Sequence, residues 1–100
     1  MNQIGLKSIS CEALHQKITA GEAVVLIDVR SPEEHASFNI GGKLIPLSEL
    51  HGRASELNPE DDIIVYCLSG MRSASAVEIL NSMNFKSVKS LAGGLKSWNY

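Results

Sequence analysis

Two stretches of the chain are apolar almost without a break: AVVLIDV at residues 23–29 and IIVYC at 63–67. Runs of this length, rich in Val and Ile, predict strands buried on both faces of a sheet. Around them the apolar positions fall at helical spacing. CEALHQKITA (11–20) groups Ala13, Leu14 and Ile18, with Ser10 placed to cap the first turn and Gly21 just past the last. SPEEHAS (31–37) reads as a short helix capped by Ser31, with Pro32 at its first position and Glu33 and Glu34 at its positive end. KLIPL (43–47) predicts a brief strand closed by Pro46, and SELHGRASEL (48–57) a short helix capped by Ser48. NPEDD (58–62) is a turn, and SASAVEILNSM (73–83) spaces Ala76, Val77, Leu80 and Met83 as a helix. KSVKSL (86–91) reads as a short edge strand, AGG (92–94) as a turn and LKSWNY (95–100) as the start of a last helix. Strands alternating with helices, two of them apolar throughout, predict an α/β fold whose mostly parallel sheet is covered on both faces.

Composition narrows the function classes. One hundred residues fit one domain, 1–100, with 44% hydrophobic and 20% charged positions. Nine basic against eleven acidic side chains leave a net charge of −2, which argues against binding nucleic acid or an anionic membrane. No apolar run approaches the length of a bilayer span, and MNQIGLKSIS lacks the charged lead and apolar core of an export signal, so a cytoplasmic location is expected. Cys11 and Cys67 lie far apart without a CxxC partner, and His15, His35 and His51 are scattered. Neither a disulfide nor a metal site is expected from them. Nothing in the pattern sets an oligomeric state.

Cys67 changes the picture. In YCLSGMRSAS (66–75) it ends a buried strand and precedes a helix. Ligands of parallel α/β folds gather at the carboxyl ends of strands, where both Asp28 and Cys67 fall. Gly70 admits a positive φ, so the loop can curl and turn several backbone N–H groups inward as a nest for negative charge. The following helix adds its positive end, and Arg72 adds a cation. Each of these lowers a thiol pKa, and the thiolate is the reactive form. The opposing reading is a small core hydrophobe, the ordinary role of a free cysteine at a strand end. The Gly-bearing loop and Arg72 favour the nucleophile.

CLSGMRS is similar to the active-site loop of the rhodanese family. LIDVRSPEEH resembles that family's first buried strand and the helix start after it. NIGGKLIPL resembles its glycine-bearing approach to a strand ending in proline, and LAGGLKSW its terminal Gly-Gly and tryptophan segment. The four blocks occur in family order from about Val24 to Trp98. The resemblance implies a three-layer α/β/α fold with a central, mostly parallel five-stranded sheet, and a sulfurtransferase activity without metal or organic cofactor. Cys67 would carry sulfur as a persulfide between a small donor and acceptor, or from a persulfide-carrying protein. The backbone N–H groups of Leu68, Ser69, Gly70, Met71 and Arg72 would cradle the outer sulfur, with the Arg72 side chain holding donor or loop. Asp28, Arg30 and Ser73 would support the site.

Two other readings go with the resemblance. Cysteine phosphatases share the fold but place a longer segment between Cys and Arg than the Leu68, Ser69, Gly70 and Met71 found here. Rhodanese-like domains also act as regulatory or sulfur-relay modules, often without the cysteine that this chain retains. NIGGKLIPLSEL further resembles the rhodanese portion of adenylating enzymes that prepare sulfur-carrier proteins. The loop adds no positive charge beyond Arg72, whereas thiosulfate users often carry a more basic loop, so a persulfide or other donor of low charge is expected. Asn39 stands where many members carry histidine and His35 where many carry an aromatic, neither at a position that the implied mechanism uses. Cys11 reads as a partly buried small residue, Glu12, Glu33 and Glu34 as solvated helix-start charges, and Trp98 as a core anchor that pins the last helix. Met71 reads either as shaping the pocket mouth or as packing on the sheet.

Overall fold

The computed structural model describes residues 7–100; the expectation of no export signal rests partly on residues 1–6, which lie outside the described residues. Five strands, β1 (Ser8–Ile9), β2 (Val24–Asp28), β3 (Lys43–Leu44), β4 (Asp62–Tyr66) and β5 (Ser87–Leu91), form one sheet in the order β1-β5-β4-β2-β3. Every pairing is parallel. The helices are α1 (Cys11–Thr19), α2 (Pro32–Ser37), α3 (Leu47–Arg53) and α4 (Met71–Ser82). Among the described residues, no helix is long and apolar enough to cross a membrane.

The place of β4 at the centre of the sheet explains why its sequence is apolar from Ile63 onward. Ile63 and Val65 face the layer of α3 and α4, packing with Leu50, Val77 and Leu80. Ile64 and Tyr66 face the layer of α1, packing with Leu14, Leu91 and Leu95. All four β4 side chains are fully buried, and each such burial contributes about 1.5–3 kcal/mol. The caps of α1 and α2 are those the sequence predicts. Ser10 Oγ accepts from the Ala13 amide at 3.0 Å, and Ser31 forms a reciprocal capping box with Glu34.

Three expectations need correction. KSVKSL is not an edge strand: β5 lies between β4 and β1, and the two-residue strands β1 and β3 form the edges. Its polar positions are accommodated because Ser90 is bonded to Ser73 within the layer and Ser87 to Asp62. The third helix starts at Leu47 with Pro46 as its cap residue, and no side chain caps it. The chain is still zipped to the end of β2 there, through Ile45 N to Asp28 O and Leu47 N to Val29 O, so it enters the helix one residue ahead of Ser48. The last helix is one 3-10 turn, Gly94–Ser97, opened by positive φ at Gly93 and Gly94 and ended by extended Trp98. Half-buried Trp98 packs against the core on the α1 side as expected of an anchor, although the helix before it is only this one turn; its indole meets the Tyr100 ring edge-on, and Tyr100 stacks on His15 of α1 at 4.0 Å.

Tyr66 ties the 39–41 segment to the sheet, donating from its hydroxyl to Gly41 O at 2.9 Å and accepting from Ile40 N at 3.3 Å. Gly41 and Gly42 follow with φ of 102° and 88°. A Cβ on Gly42 would collide with the Leu26 carbonyl and stand 2.6 Å from Leu26 Cβ, whereas one on Gly41 would meet open space. Gly42→Ala is therefore expected to lower unfolding free energy by about 3 kcal/mol or more, against about 1 kcal/mol for Gly41→Ala. Urea unfolding of the two variants side by side checks the difference, and equal losses would contradict it.

Candidate functional site

The candidate site stands at the carboxyl ends of β2 and β4. Cys67 follows β4 directly, and the chain turns through Leu68 and Ser69 to Gly70, whose φ of 103° makes it the left-handed entry to α4. That conformation aims the Gly70 amide back at the cysteine, 3.1 Å from Sγ. The Ser73 amide, in the first turn of α4, lies 3.4 Å from the same sulfur, and the Ser73 hydroxyl 3.6 Å from it. Ser73 Oγ is in turn 2.6 Å from Ser90 Oγ on β5. With the thiol ionised, Ser90 can donate to Ser73 and Ser73 to the sulfur, so both hydroxyls point their protons toward the charge.

Burial of Cys67, which keeps 1% of its surface, would alone push its thiol up. The hydrogen bonds from the Ser73 hydroxyl and from the amides of Ser73, Gly70 and Ser69 more than offset that, and its pKa is lowered. Cys11 shows the contrast. It is buried beside the Ala92 and Gly94 carbonyls, which accept and do not donate, and burial raises its thiol.

The loop is held from behind by the segment after β5. Leu95 N donates to Cys67 O at 2.9 Å and Lys96 N to Leu68 O at 3.0 Å. This approach requires Gly94, since a Cβ there would stand 2.6 Å from Cys67 O and closer still to Leu68 O. The Gly-Gly segment thus acts as a backbone clamp on the loop, a role that its sequence marks only as a turn.

Asp28 and Arg30 meet as a buried pair at the end of β2. Arg30 Nε and Nη2 donate to the two Asp28 oxygens at 2.9 and 2.8 Å, and the Arg30 amide donates to Oδ1 at 3.0 Å. His35 Nδ1 lies 2.8 Å from Asp28 Oδ2, so His35 belongs to this supporting network, a contact that the sequence did not signal. Burial would raise the Asp28 carboxyl, but the bonds from Arg30 and His35 hold it below its usual range.

The structure brings Asp28, Arg30, Cys67, Gly70, Arg72 and Ser73 to one end of the sheet and leaves Leu68 and Met71 largely exposed. Met71, at 79% exposure, does not pack on the sheet. Glu34 is not a solvated charge: its carboxylate binds Arg72 Nη1 and Nη2 at 2.8 and 2.9 Å. Arg72, followed by the Ser31 amide, holds the Glu34 carboxyl down at about 2. Sequence reasoning also missed Ser90. Its one signal is a serine inside an otherwise strand-like run, which here marks a hydroxyl turned toward α4. Among the described residues, no cluster of three or more His, Cys, Asp or Glu could hold a metal ion.

Comparison with known proteins agrees with this geometry. The family model of the rhodanese-like domain matches residues 10–100. A protein of Allochromatium vinosum named sulfurtransferase is 34% identical over 93% of this chain and 88% of its own length. YrkF of Bacillus subtilis, whose name assigns it provisionally to sulfur carriage, is 38% identical over 97% of this chain and 53% of its own, so the chain spans about half of that relative. The crystal structure of a rhodanese-like domain protein from Staphylococcus aureus superposes with a TM-score of 0.86 at 30% identity, covering 93% of this chain and 91% of that one. The relatives' names support a rhodanese-type role in sulfur transfer. The sheet order, the loop at the end of β4 and these matches lead to one conclusion: the chain belongs to the rhodanese-like domain family.

Proposed function

We propose that the protein is a sulfurtransferase in which Cys67 carries sulfane sulfur as a persulfide. The observation that carries this reading is the convergence on one sulfur of the Gly70 and Ser73 amides and the Ser73 hydroxyl. In the first half-reaction the Cys67 thiolate attacks the outer sulfur of a donor R–S–SH. The S–S bond of the donor breaks, R–S⁻ leaves with the electron pair, and Cys67–S–SH remains. Thiosulfate would react in the same way with sulfite as the leaving group. In the second half-reaction a nucleophilic acceptor, such as a thiol, cyanide or a sulfur-carrier protein, attacks the outer sulfur and the Cys67 thiolate departs. Sulfur passes without an external oxidant or reductant, and one hard transfer becomes two easier ones.

The cradle suits both roles of Cys67. Its donors stabilise the thiolate as nucleophile and again as leaving group, at no reorganisation cost because the backbone already points at the sulfur. Cys67 lies on the loop floor, so the reacting atom of a donor must be slender and terminal, as a sulfane sulfur is. Asp28, Arg30 and His35 fix the rim and take no part in bond making. A phosphate would need a free guanidinium, and Arg72 is occupied by Glu34.

Three outcomes are expected. After incubation with cysteine persulfide, intact-mass spectrometry should show a gain of one sulfur atom on the wild type and none on Cys67→Ser, and cyanide should release it as thiocyanate. A folded, reduced wild type that gains nothing from either persulfide or thiosulfate would overturn the reading. The rate of Cys67 alkylation by iodoacetamide should rise with pH to a plateau, with a midpoint below that of an ordinary thiol. Ser73→Ala should move that midpoint up, since the thiolate loses the hydrogen bond from the Ser73 hydroxyl.

A further inference from the structure

Arg72 is the sole cation between Cys67 and Ser73, and its guanidinium feels the charge of a Cys67 thiolate. That cation is not available to an incoming anion. Its two terminal nitrogens hold both oxygens of Glu34, the bidentate geometry that guanidinium and carboxylate favour most. Glu34 cannot readily swing away, because Oε1 also accepts from the Ser31 amide at 3.1 Å while Ser31 Oγ accepts from the Glu34 amide at 3.1 Å. The capping box thus holds Glu34 in place as the partner of Arg72. The two side chains together carry no net charge, and the cradle around Sγ consists of neutral amides and a hydroxyl.

The surroundings lean the same way. A groove of about 510 Å³ opens beside the pair, lined by Glu33, Glu34, Ser37, Phe38, Leu68 and Leu95. Arg30, the one cation lining it among the described residues, is bound to Asp28. On this side of the loop a dianion would meet carboxylates and apolar side chains; the cavity on the other side, of about 320 Å³ and lined by Ser69, Gly70 and Ser90, carries Lys7 and Glu78. A donor of low charge on an organic stem would not meet that opposition.

We propose that Glu34 determines donor specificity: by pairing with Arg72 it disfavours dianionic donors at Cys67 and leaves the site to persulfides of low charge. Glu34 is a positioning residue, since it acts through Arg72 and touches no reacting atom. The donor assignment rests on the sulfur-transfer reading; the charge filter does not.

Two alkylating reagents of different charge separate these claims. Rates of Cys67 alkylation by anionic iodoacetate and by neutral iodoacetamide, followed at the Cys67 peptide by mass spectrometry, give a ratio that is independent of sulfur chemistry. A changed thiolate fraction alters both rates alike and cancels. In Glu34→Gln the glutamine carbonyl can still accept from Ser31, so the cap of α2 is kept. The iodoacetate-to-iodoacetamide ratio should rise about fivefold or more, the scale of one unit charge acting over a few ångströms of partly screened space. Arg72→Gln, which leaves Glu34 unpaired, should lower the ratio, so the sign is tested even where one variant fails to fold. The same factor should appear as a rise in kcat/KM for thiosulfate relative to cysteine persulfide in Glu34→Gln. A ratio unchanged within twofold in the folded variants overturns the proposal. A ratio that shifts as stated in a protein that loads no sulfur from either donor upholds the charge filter and overturns the sulfur-transfer reading instead.

Discussion

The arrangement of this end of the molecule depends on one buried carboxylate. Asp28 sits at the last position of β2 with no exposed surface, where an unpaired charge would be too costly to keep. It is satisfied by four donors or near contacts from residues downstream, three from Arg30 and one from His35. Those bonds set the direction in which the chain leaves the sheet. Arg30 also reaches the Phe38 carbonyl, so both ends of α2 are referred to the same charge. Glu34 lies on that helix, and through Glu34 the orientation of α2 is passed to Arg72 at the start of α4. A single aspartate thus relates two segments that are distant in sequence and that no backbone ladder connects.

The loop itself is built mainly from main-chain groups. Gly70 supplies the left-handed turn, the amides of Gly70 and Ser73 face the sulfur, and the amides of Leu95 and Lys96 hold the loop's outward carbonyls. Such a site has few side chains to lose. It is sensitive instead to residues that set backbone geometry, and to glycines where a Cβ would intrude. Its one charged side chain is balanced by another.

Much of this is legible in the sequence, and the reasons are physical. β2 and β4 are long, apolar and β-branched because both faces are covered, whereas a strand with one face in water would alternate. Ser10 and the Ser31–Glu34 box are local signals read within one turn. Cys67, Gly70, Arg72 and Ser73 are neighbours in the chain, so their chemistry can be grouped without knowing the fold. What is not legible depends on topology. A two-residue strand such as β1 has too few positions to show a period, and without it β5 looks like an edge. Nothing in the local sequence pairs Glu34 with Arg72 or Ser90 with Ser73, since these contacts arise only when α2, α4 and β5 are brought to the same end of the sheet. The short 3-10 turn at Gly94–Ser97 reads as a helix start because LKSW has helical composition; the two positive-φ glycines at its entry, fitted to the loop carbonyls, decide otherwise.

The clamp from Leu95 and Lys96 also bears on motion. Opening of a protein segment proceeds in units that share hydrogen bonds, and the loop shares two with the 3-10 turn behind it. That turn leads to Trp98 and to Tyr100, whose ring rests on His15. The thiol loop and the aromatic stack on α1 are therefore joined by one continuous run of contacts. Moving the loop backbone to widen the mouth above Cys67 therefore means breaking bonds to a segment whose other end rests on α1, on the far side of the sheet from the sulfur.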